Sequence, residues 1–356
     1  MKNRILSMLL PVVIVSTLLS ACGTSSQTGT TDSSGAEKTE TAADKGTVAS
    51  RELRMSLPVP EGTDSYNQAV TVKEYIETKT NGELTVTIYP ANTLGDWTQV
   101  FDELMMGSID MAISNSPDTY NPILGVVSLG YLTYDYDNCR KVFAPDSFLS
   151  QEVAKAMEEI GIKFFGFSFS GFDGIGTRNE IQNATEVGAD KNCLIRVPSL
   201  DGVKYPAEYL GFRTSSIPYT DTYSSIQTGV VDGWVGAPPY QHYLGFRDVE
   251  NYYYAYNSLQ ETFNCMMSMS TWDTLSEEQR TIVREAMELA ASTSIDDAEK
   301  GDQLYMKMME EEGITVVQFD SDQLEAFATA VRENVWPKLA SLYGEEFMAQ
   351  LNESLK

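Results

Sequence analysis

Residues 84–114, LTVTIYPANTLGDWTQVFDELMMGSIDMAIS, decide the fold. Leu84, Val86 and Ile88 alternate with threonine and Tyr89, the period-two pattern of a half-buried strand. After Leu94-Gly95, Asp96 can cap a helix whose apolar face is Val100, Phe101, Leu104 and Met105, and Gly107 ends it. Asp110 to Ser114 then reads as another strand. Upstream, Leu53 to Val59 is a strand, and Ala69, Val72 and Ile76 mark one face of a helix that begins after Ser65 and stops at Asn81-Gly82. Strand, helix, strand, helix, strand in this order implies a parallel sheet with helices on both faces.

The end of that run recurs. Phe101, Leu104, Gly107, Ile109 and Asp110 reappear at a constant offset as Tyr223, Ile226, Gly229, Val231 and Asp232: a helix, a Gly-x-x-Asp turn, then a strand. With the strand Cys193 to Val197 and the helix around Tyr205 to Leu210 before it, a second lobe of the same construction is expected. Between the lobes, Ile162 to Phe172 and Glu261 to Ser270 are long apolar and aromatic stretches, read as strands that serve both sheets and act as hinges. Ser276 and Gln279 form a capping box for a long helix with Ile282, Val283, Ala286, Met287 and Ala290 on one face. Met306, Met308 and Met309 read as packing on its continuation, followed by a strand at Ile314 to Phe319 and amphipathic helix from Leu324.

The chain begins with Lys2 and Arg4, an apolar run from Ile5 to Leu19, and then Leu19-Ser20-Ala21-Cys22, the layout of a cleaved export leader too short for a comfortable membrane span. A cysteine directly after small residues looks like a bacterial lipobox. Cys22 is therefore expected to become the first mature residue and to carry the lipid that holds the protein to a membrane surface. From Gly23 to about Ala49 the sequence is Ser, Thr, Gly, Ala, Glu and Lys with almost no large apolar side chain, a flexible tether.

The net charge is −26, and loss of Lys2 and Arg4 with the leader takes it to −28. Such a field argues against nucleic acid or an anionic lipid surface as partner. One buried guanidinium can still dominate locally, so an anionic ligand remains compatible. Once Cys22 is set aside, Cys139, Cys193 and Cys265 cannot all pair within the chain and read as small buried residues. With no Cys-x-x-Cys and a single histidine, neither a metal site nor a cofactor is expected.

Catalytic motifs fit poorly. Any Ser-His-Asp or Cys-His arrangement would depend on His242, in the loop-like run Pro238-Pro239-Tyr240-Gln241-His242, where a surface or hinge role is expected. Gly166 to Gly171 is one residue too long for a nucleophile elbow, and Gly174-Ile-Gly176 lacks the third glycine of a dinucleotide fingerprint. Among so many carboxylates, a close pair carries almost no information and reads as solvated surface.

Arg196 stands out in Leu194-Ile195-Arg196-Val197-Pro198, a charge with apolar neighbours at the carboxyl end of a parallel strand, where open α/β sheets bind ligands. Its planar fork matches a carboxylate. The pattern alone leaves two roles open, a ligand contact or an ion pair with a neighbouring acid.

Taken together, the mature chain resembles the solute-binding proteins of TRAP transporters, the tripartite ATP-independent periplasmic systems, from Leu53 to the C-terminal helices. The resemblance is carried by Asn81-Gly82-Glu83-Leu84-Thr85-Val86 running into Tyr89-Pro90, Leu94-Gly95, Gly107-Ser108-Ile109-Asp110, the Arg196 strand, Leu210-Gly211 and Gln227-Thr228-Gly229-Val230-Val231-Asp232-Gly233. It implies a two-lobed, periplasmic-binding-protein-like α/β fold, each lobe a mostly parallel sheet flanked by helices. Residues 1–21 would be the leader, 22–50 the tether, 51–170 lobe 1 and 171–260 lobe 2. Residues 261–356 would supply a hinge strand, the long helix and C-terminal helices packing on both lobes. It also implies a non-catalytic protein that holds a small organic acid through Arg196 and passes it to the small and large TRAP membrane subunits, outside the cytoplasm. A lipoprotein sensor of an organic acid, or an exported enzyme on the same scaffold, is the alternative.

Two departures bear on the site. Many members carry a second arginine in a Gly-x-Arg after the long aromatic strand; here the stretch is Gly171-Phe172-Asp173, so either Arg178 substitutes or one contact is missing. Where members show Gln-Glu-Asn-Pro, with a ligand-binding asparagine, this chain has Trp234-Val235-Gly236-Ala237, and Trp234 is read either as a pocket wall or as hinge packing. Asn115 and Ser116 follow a strand at its carboxyl end, as ligand contacts or simple turn formers. Phe172 is placed either against the ligand or in the core.

Overall fold

The computed structural model describes residues 50–355. The leader, Cys22 and nearly all of the tether lie outside the described residues. Strands β1 (Arg51–Ser56), β2 (Leu84–Tyr89) and β3 (Met111–Ser114) alternate with helices α1 (Asp64–Lys79) and α2 (Trp97–Met106), as the alternation of apolar residues requires. A 3-10 segment (Pro122–Ser128) and helices α3 (Tyr136–Val142) and α4 (Phe148–Glu159), which sequence periodicity does not reveal, lead into β4 (Ile162–Phe172). The second lobe comprises β5 (Ile175–Thr177), β6 (Leu194–Val197), α5 (Asp201–Tyr209), β7 (Arg213–Ser216), α6 (Tyr219–Thr228), β8 (Gly233–Val235), α7 (Pro239–Phe246) and β9 (Tyr252–Ala255). The chain then returns through β10 (Gln260–Ser268), α8 (Met269–Thr274) and α9 (Glu277–Glu311). It ends in β11 (Thr315–Gln318), α10 (Ser321–Asn334), α11 (Trp336–Tyr343) and α12 (Glu345–Ser354).

Two sheets result, ordered β2-β1-β3-β10-β4 and β11-β9-β5-β8-β6-β7. Five of their nine strand pairings are parallel and four antiparallel. Every antiparallel pairing, β3 with β10, β10 with β4, β5 with β8 and β5 with β9, involves a strand adjoining a crossing between the sheets. The parallel pairs are the ones built by helical crossovers or by β11. The long strands also do not serve both sheets themselves. β4 and β10 lie wholly in the first sheet, and the chain crosses between the sheets through the short links Asp173–Gly174 and Tyr256–Leu259 and again along α9.

The repeated Gly-x-x-Asp is a matched structural device. Gly107 and Gly229 end α2 and α6 in the left-handed region, at φ 77° and 76°, where a side chain would be strained. Downstream, the Asp110 Oδ2 accepts from the Arg54 backbone N–H at 2.9 Å, and the Asp232 Oδ2 accepts from the Leu194 N–H at 2.8 Å. Each carboxylate thus pins a strand of its own lobe, β1 or β6, beside the strand it precedes.

Helix α9, about 50 Å long at 1.5 Å per residue, packs on α1 and β4 of the first lobe and on α7 and β11 of the second. Its buried stripe, including Val283, Ala286 and Met287, meets Val72 and Ile76 of α1 over one face of the first sheet, while Phe101, Leu104 and Ala112 belong to the core on the other face. The capping box at Ser276 and Gln279 is formed. Met309 is fully buried, and Met306 and Met308 are half-buried on the same helix. Cys139, Cys193 and Cys265 are free and buried.

Candidate ligand-binding cleft

A cavity of about 570 Å³ opens between the two sheets. Trp97 and Asn115 line it from the first lobe, Arg196 and Tyr219 from the second, and Asp173 and Glu261 at the crossing links. An adjoining hollow of about 480 Å³ shares Trp97 and Asn115 and adds Ser116. Asn115 and Ser116 sit just past the carboxyl end of β3, and Arg196 near the carboxyl end of β6, so both lobes present the same edge of their parallel strands to one space.

Arg196 is 4 % exposed. Its Nε donates to the Ile217 carbonyl at 2.7 Å and its Nη1 to the Val235 carbonyl at 3.3 Å. These bonds fix the guanidinium plane and leave Nη2 without a protein partner among the described residues. The Tyr219 ring lies 6.0 Å from the guanidinium carbon. Burial pulls the pKa of Arg196 below its ordinary value, while Tyr219 and Asp173 act in the opposite direction. The group stays protonated, because arginine starts far above neutrality. No ion pair joins Arg196 to an acid among the described residues. Gly236, at φ 123°, lies so close that an added Cβ would stand 3.3 Å from the Arg196 Nη1. The chain thus keeps the backbone bare beside the guanidinium.

Two carboxyl groups face the same space. Asp173 is 2 % exposed, and burial raises its pKa well above the carboxylate range, helped by Glu261 and Asp302 and opposed by Arg196. Glu261 is half-buried on the cleft wall, yet protein surrounds its carboxyl closely enough to push its pKa up to about 7. Its Oε2 accepts from the Gln241 Nε2 at 3.4 Å. Behind the crossing, buried Asp302 on α9 accepts from the Phe172 N–H at 3.0 Å and from the Tyr136 hydroxyl. Burial raises its pKa to about 7.

Arg196, Asn115 and Ser116 are brought together around the cleft; the other three residues are not. Arg178 stands five residues beyond Asp173, about 16 Å along extended chain, and its guanidinium lies against Gly229 at the end of α6. It therefore does not line the cleft. Phe172 is 1 % exposed and packs edge-on to Tyr136 at 5.1 Å and Phe169 at 5.2 Å, away from the cleft. Adjacent residues in extended chain point to opposite sides, and here Asp173 takes the cleft side. Trp234 does not wall the pocket: it is fully buried, stacks on His242 and Phe246 at 4.2 Å, donates to Glu250, and stands a layer behind Tyr219. His242, expected at the surface or hinge in a loop, lies instead inside α7 and fully buried, its Nδ1 3.0 Å from the Glu250 Oε2. Pro239 in the first turn starts this helix, and its fixed φ suits that position.

Sequence reading missed Tyr219, Trp97 and Glu261, and treated Asp173 only as a departure. The available signal was positional: Asp173 and Glu261 flank the two crossings between sheets, where a polar residue next to apolar strand has a reason to be there.

The bacterial extracellular solute-binding protein family 7 model, DctP, matches residues 55–341. The sialic acid-binding periplasmic protein SiaP of Vibrio cholerae is 23% identical over 309 residues, covering 85% of this chain and 92% of its own. Among solved structures, a TRAP periplasmic solute-binding protein from Ochrobactrum anthropi superimposes with a TM-score of 0.77 at 20% identity, covering 86% of this chain and 95% of that one. One from Sulfitobacter sp. NAS-14.1 with bound β-D-galacturonate gives 0.68 at 24% identity, covering 85% and 98%. The two-sheet fold, the cleft between the lobes and the extent of the family match place this chain in the DctP family of extracytoplasmic TRAP solute-binding proteins.

Proposed function

We propose that this protein captures a small organic acid between its lobes, with the ligand carboxylate on Arg196, and delivers it to TRAP membrane subunits for ion-gradient-driven uptake. The observation that carries the reading is Arg196 itself, a buried guanidinium aligned by two backbone carbonyls, with Nη2 unpartnered on the cleft wall and no acid paired to it among the described residues. Asn115 and Ser116 supply polar contacts from the opposite lobe. Asn264 donates to the Ser116 Oγ, which leaves the hydroxyl hydrogen free to point at a ligand. Sialic acid and galacturonate, named for two relatives, each bear a carboxylate, which agrees with this reading.

Capture closes the lobes. Trp97 at 38 % exposure, Leu200 at 48 % and Tyr219 at 50 % are large apolar side chains left open to solvent on facing walls of the cleft. Bringing the walls together buries them and excludes water from the ion pair. We also infer that lipid on Cys22 anchors the protein at the membrane, a reading supported by the order of the leader, Ala21 and Cys22.

A thermal-shift screen against mono- and dicarboxylates, oxo-acids, uronates and sialic acid tests the proposal. A ligand at 100 times its dissociation constant stabilises by about 2.7 kcal/mol, which is visible in the melting point. The hit should vanish in Arg196→Ala; a hit that survives undiminished would reject the carboxylate role.

A further inference from the structure

The charges lining the cleft do not balance for a simple acid. Its charged side chains are one guanidinium, Arg196, and two carboxyls, Asp173 and Glu261. A carboxylate seated on Arg196 satisfies the cation and supplies no counter-charge to the two acids, which in the buried apo cleft tend to hold protons instead. A second carboxylate on the ligand would supply none either.

Among the described residues, the acid side of the cleft is also short of donors. Asp173 is almost fully buried, and its Oδ1 has no hydrogen-bond partner among the described residues. A buried acceptor left unpaired costs on the order of 1–3 kcal/mol, so a ligand that donates there gains what the apo protein forgoes. Glu261 accepts only the long 3.4 Å bond from Gln241. The two carboxyls come from separate crossings, yet β4 and β10 are paired so that Gly171 faces Glu261, which brings Asp173 and Glu261 to one region. Asp173 precedes β5, and β5 lies two strand spacings from β6 in the order β5-β8-β6, on the order of 10 Å from the Arg196 backbone. All three groups line the same space of about 570 Å³, which has room for a small molecule beside the guanidinium and the acids.

We propose that the acid taken by this cleft also carries a cationic nitrogen, held between Asp173 and Glu261 while its carboxylate rests on Arg196: a zwitterion of the amino-acid class. A ligand hydroxyl would satisfy the unpaired Oδ1 alone, whereas an ammonium group donates there and also lets the neighbouring carboxyls ionise beside it. The protein's strongly acidic field further draws a zwitterion's positive end and disfavours a bare anion.

This inference rests on the organic-acid reading, and the test separates the two. Calorimetric titration of the full-length protein would compare matched series that differ only at one position: alanine, lactate, pyruvate and propionate; glutamate, 2-hydroxyglutarate and glutarate; phenylalanine, 3-phenyllactate and 3-phenylpropionate. The remaining proteinogenic amino acids and glycine betaine complete the panel. Within the series that binds, the amine-bearing member should be favoured by about tenfold or more, the scale of one charge-assisted hydrogen bond. Asp173→Asn and Glu261→Gln should each shrink the affinity ratio between the amine-bearing and amine-free members of that series. Amine-free acids that bind as well as their amino counterparts, with Asp173→Asn indifferent, would overturn the inference and leave the carboxylate role of Arg196 standing. If no acid of either kind binds, or binding ignores Arg196→Ala, the organic-acid reading fails and the zwitterion with it.

Discussion

Asp302 gives the fold a measurable pH dependence. Its pKa is about 7 in the folded protein and 3.8 ordinarily, chiefly because of burial, so the folded state holds a proton that the unfolded chain releases. Stability from this group is therefore fully present below pH 4 and is lost as pH rises through 7. At 1.36 kcal/mol per pKa unit, the whole effect is roughly 4 kcal/mol, of which roughly 3 falls between pH 5 and pH 8. For a body of about 300 residues, that loss lowers the melting temperature by about 5 °C. Asp302→Asn tests it, since an amide oxygen can still accept from the Phe172 N–H and the Tyr136 hydroxyl while carrying no charge. Scanning calorimetry at pH 5, 6, 7 and 8 should show the variant gaining on the parent as pH rises. Equal slopes for the two proteins would refute the assignment.

Three further outcomes follow from the geometry. Asp232→Ala removes the acceptor of the Leu194 N–H at the head of the Arg196 strand and should cost about 1–3 kcal/mol in urea unfolding, as should Asp110→Ala in the first lobe. Gly236→Ala strains a backbone at φ 123° and sets a methyl 3.3 Å from the Arg196 Nη1, so ligand affinity should fall by about tenfold or more, readable by titration calorimetry. Trp234→Phe loses the bond to Glu250 but no cleft contact and should cost about 1–3 kcal/mol of stability in chemical denaturation with ligand affinity nearly unchanged.

Regular elements were legible where local chemistry alone determines them. Asp96 and Gly107 bound α2, the Ser276–Gln279 box starts α9, and the Gly-x-x-Asp repeat marks equivalent turns in both lobes. Elements formed by tertiary packing were not legible: α3 and α4 lack a long periodic face, and α7 begins with consecutive prolines that read as loop. The antiparallel pairings were not legible, because pairing between β10, β3 and β4 depends on how the chain crosses between lobes rather than on the residues within a strand. In the cleft, Arg196 was visible because a charge in a short apolar strand is rare. Asp173 and Glu261 were hidden among 51 acidic residues, and only burial distinguishes them from solvated surface. For Trp234 and Phe172 residue type left ligand contact and packing both open, and the alternation of extended chain and the Glu250 acceptor place them inside.

The most direct test of the central claim is a double-mutant cycle on one bound acid: its affinity and that of its neutral amide, each measured against the parent protein and Arg196→Ala. If the carboxylate rests on Arg196, the two changes should couple by about 2–5 kcal/mol, the amide losing most of the affinity in the parent and little more in the variant. Additive losses, with the acid still preferred over the amide after Arg196 is gone, would show that the carboxylate is held elsewhere.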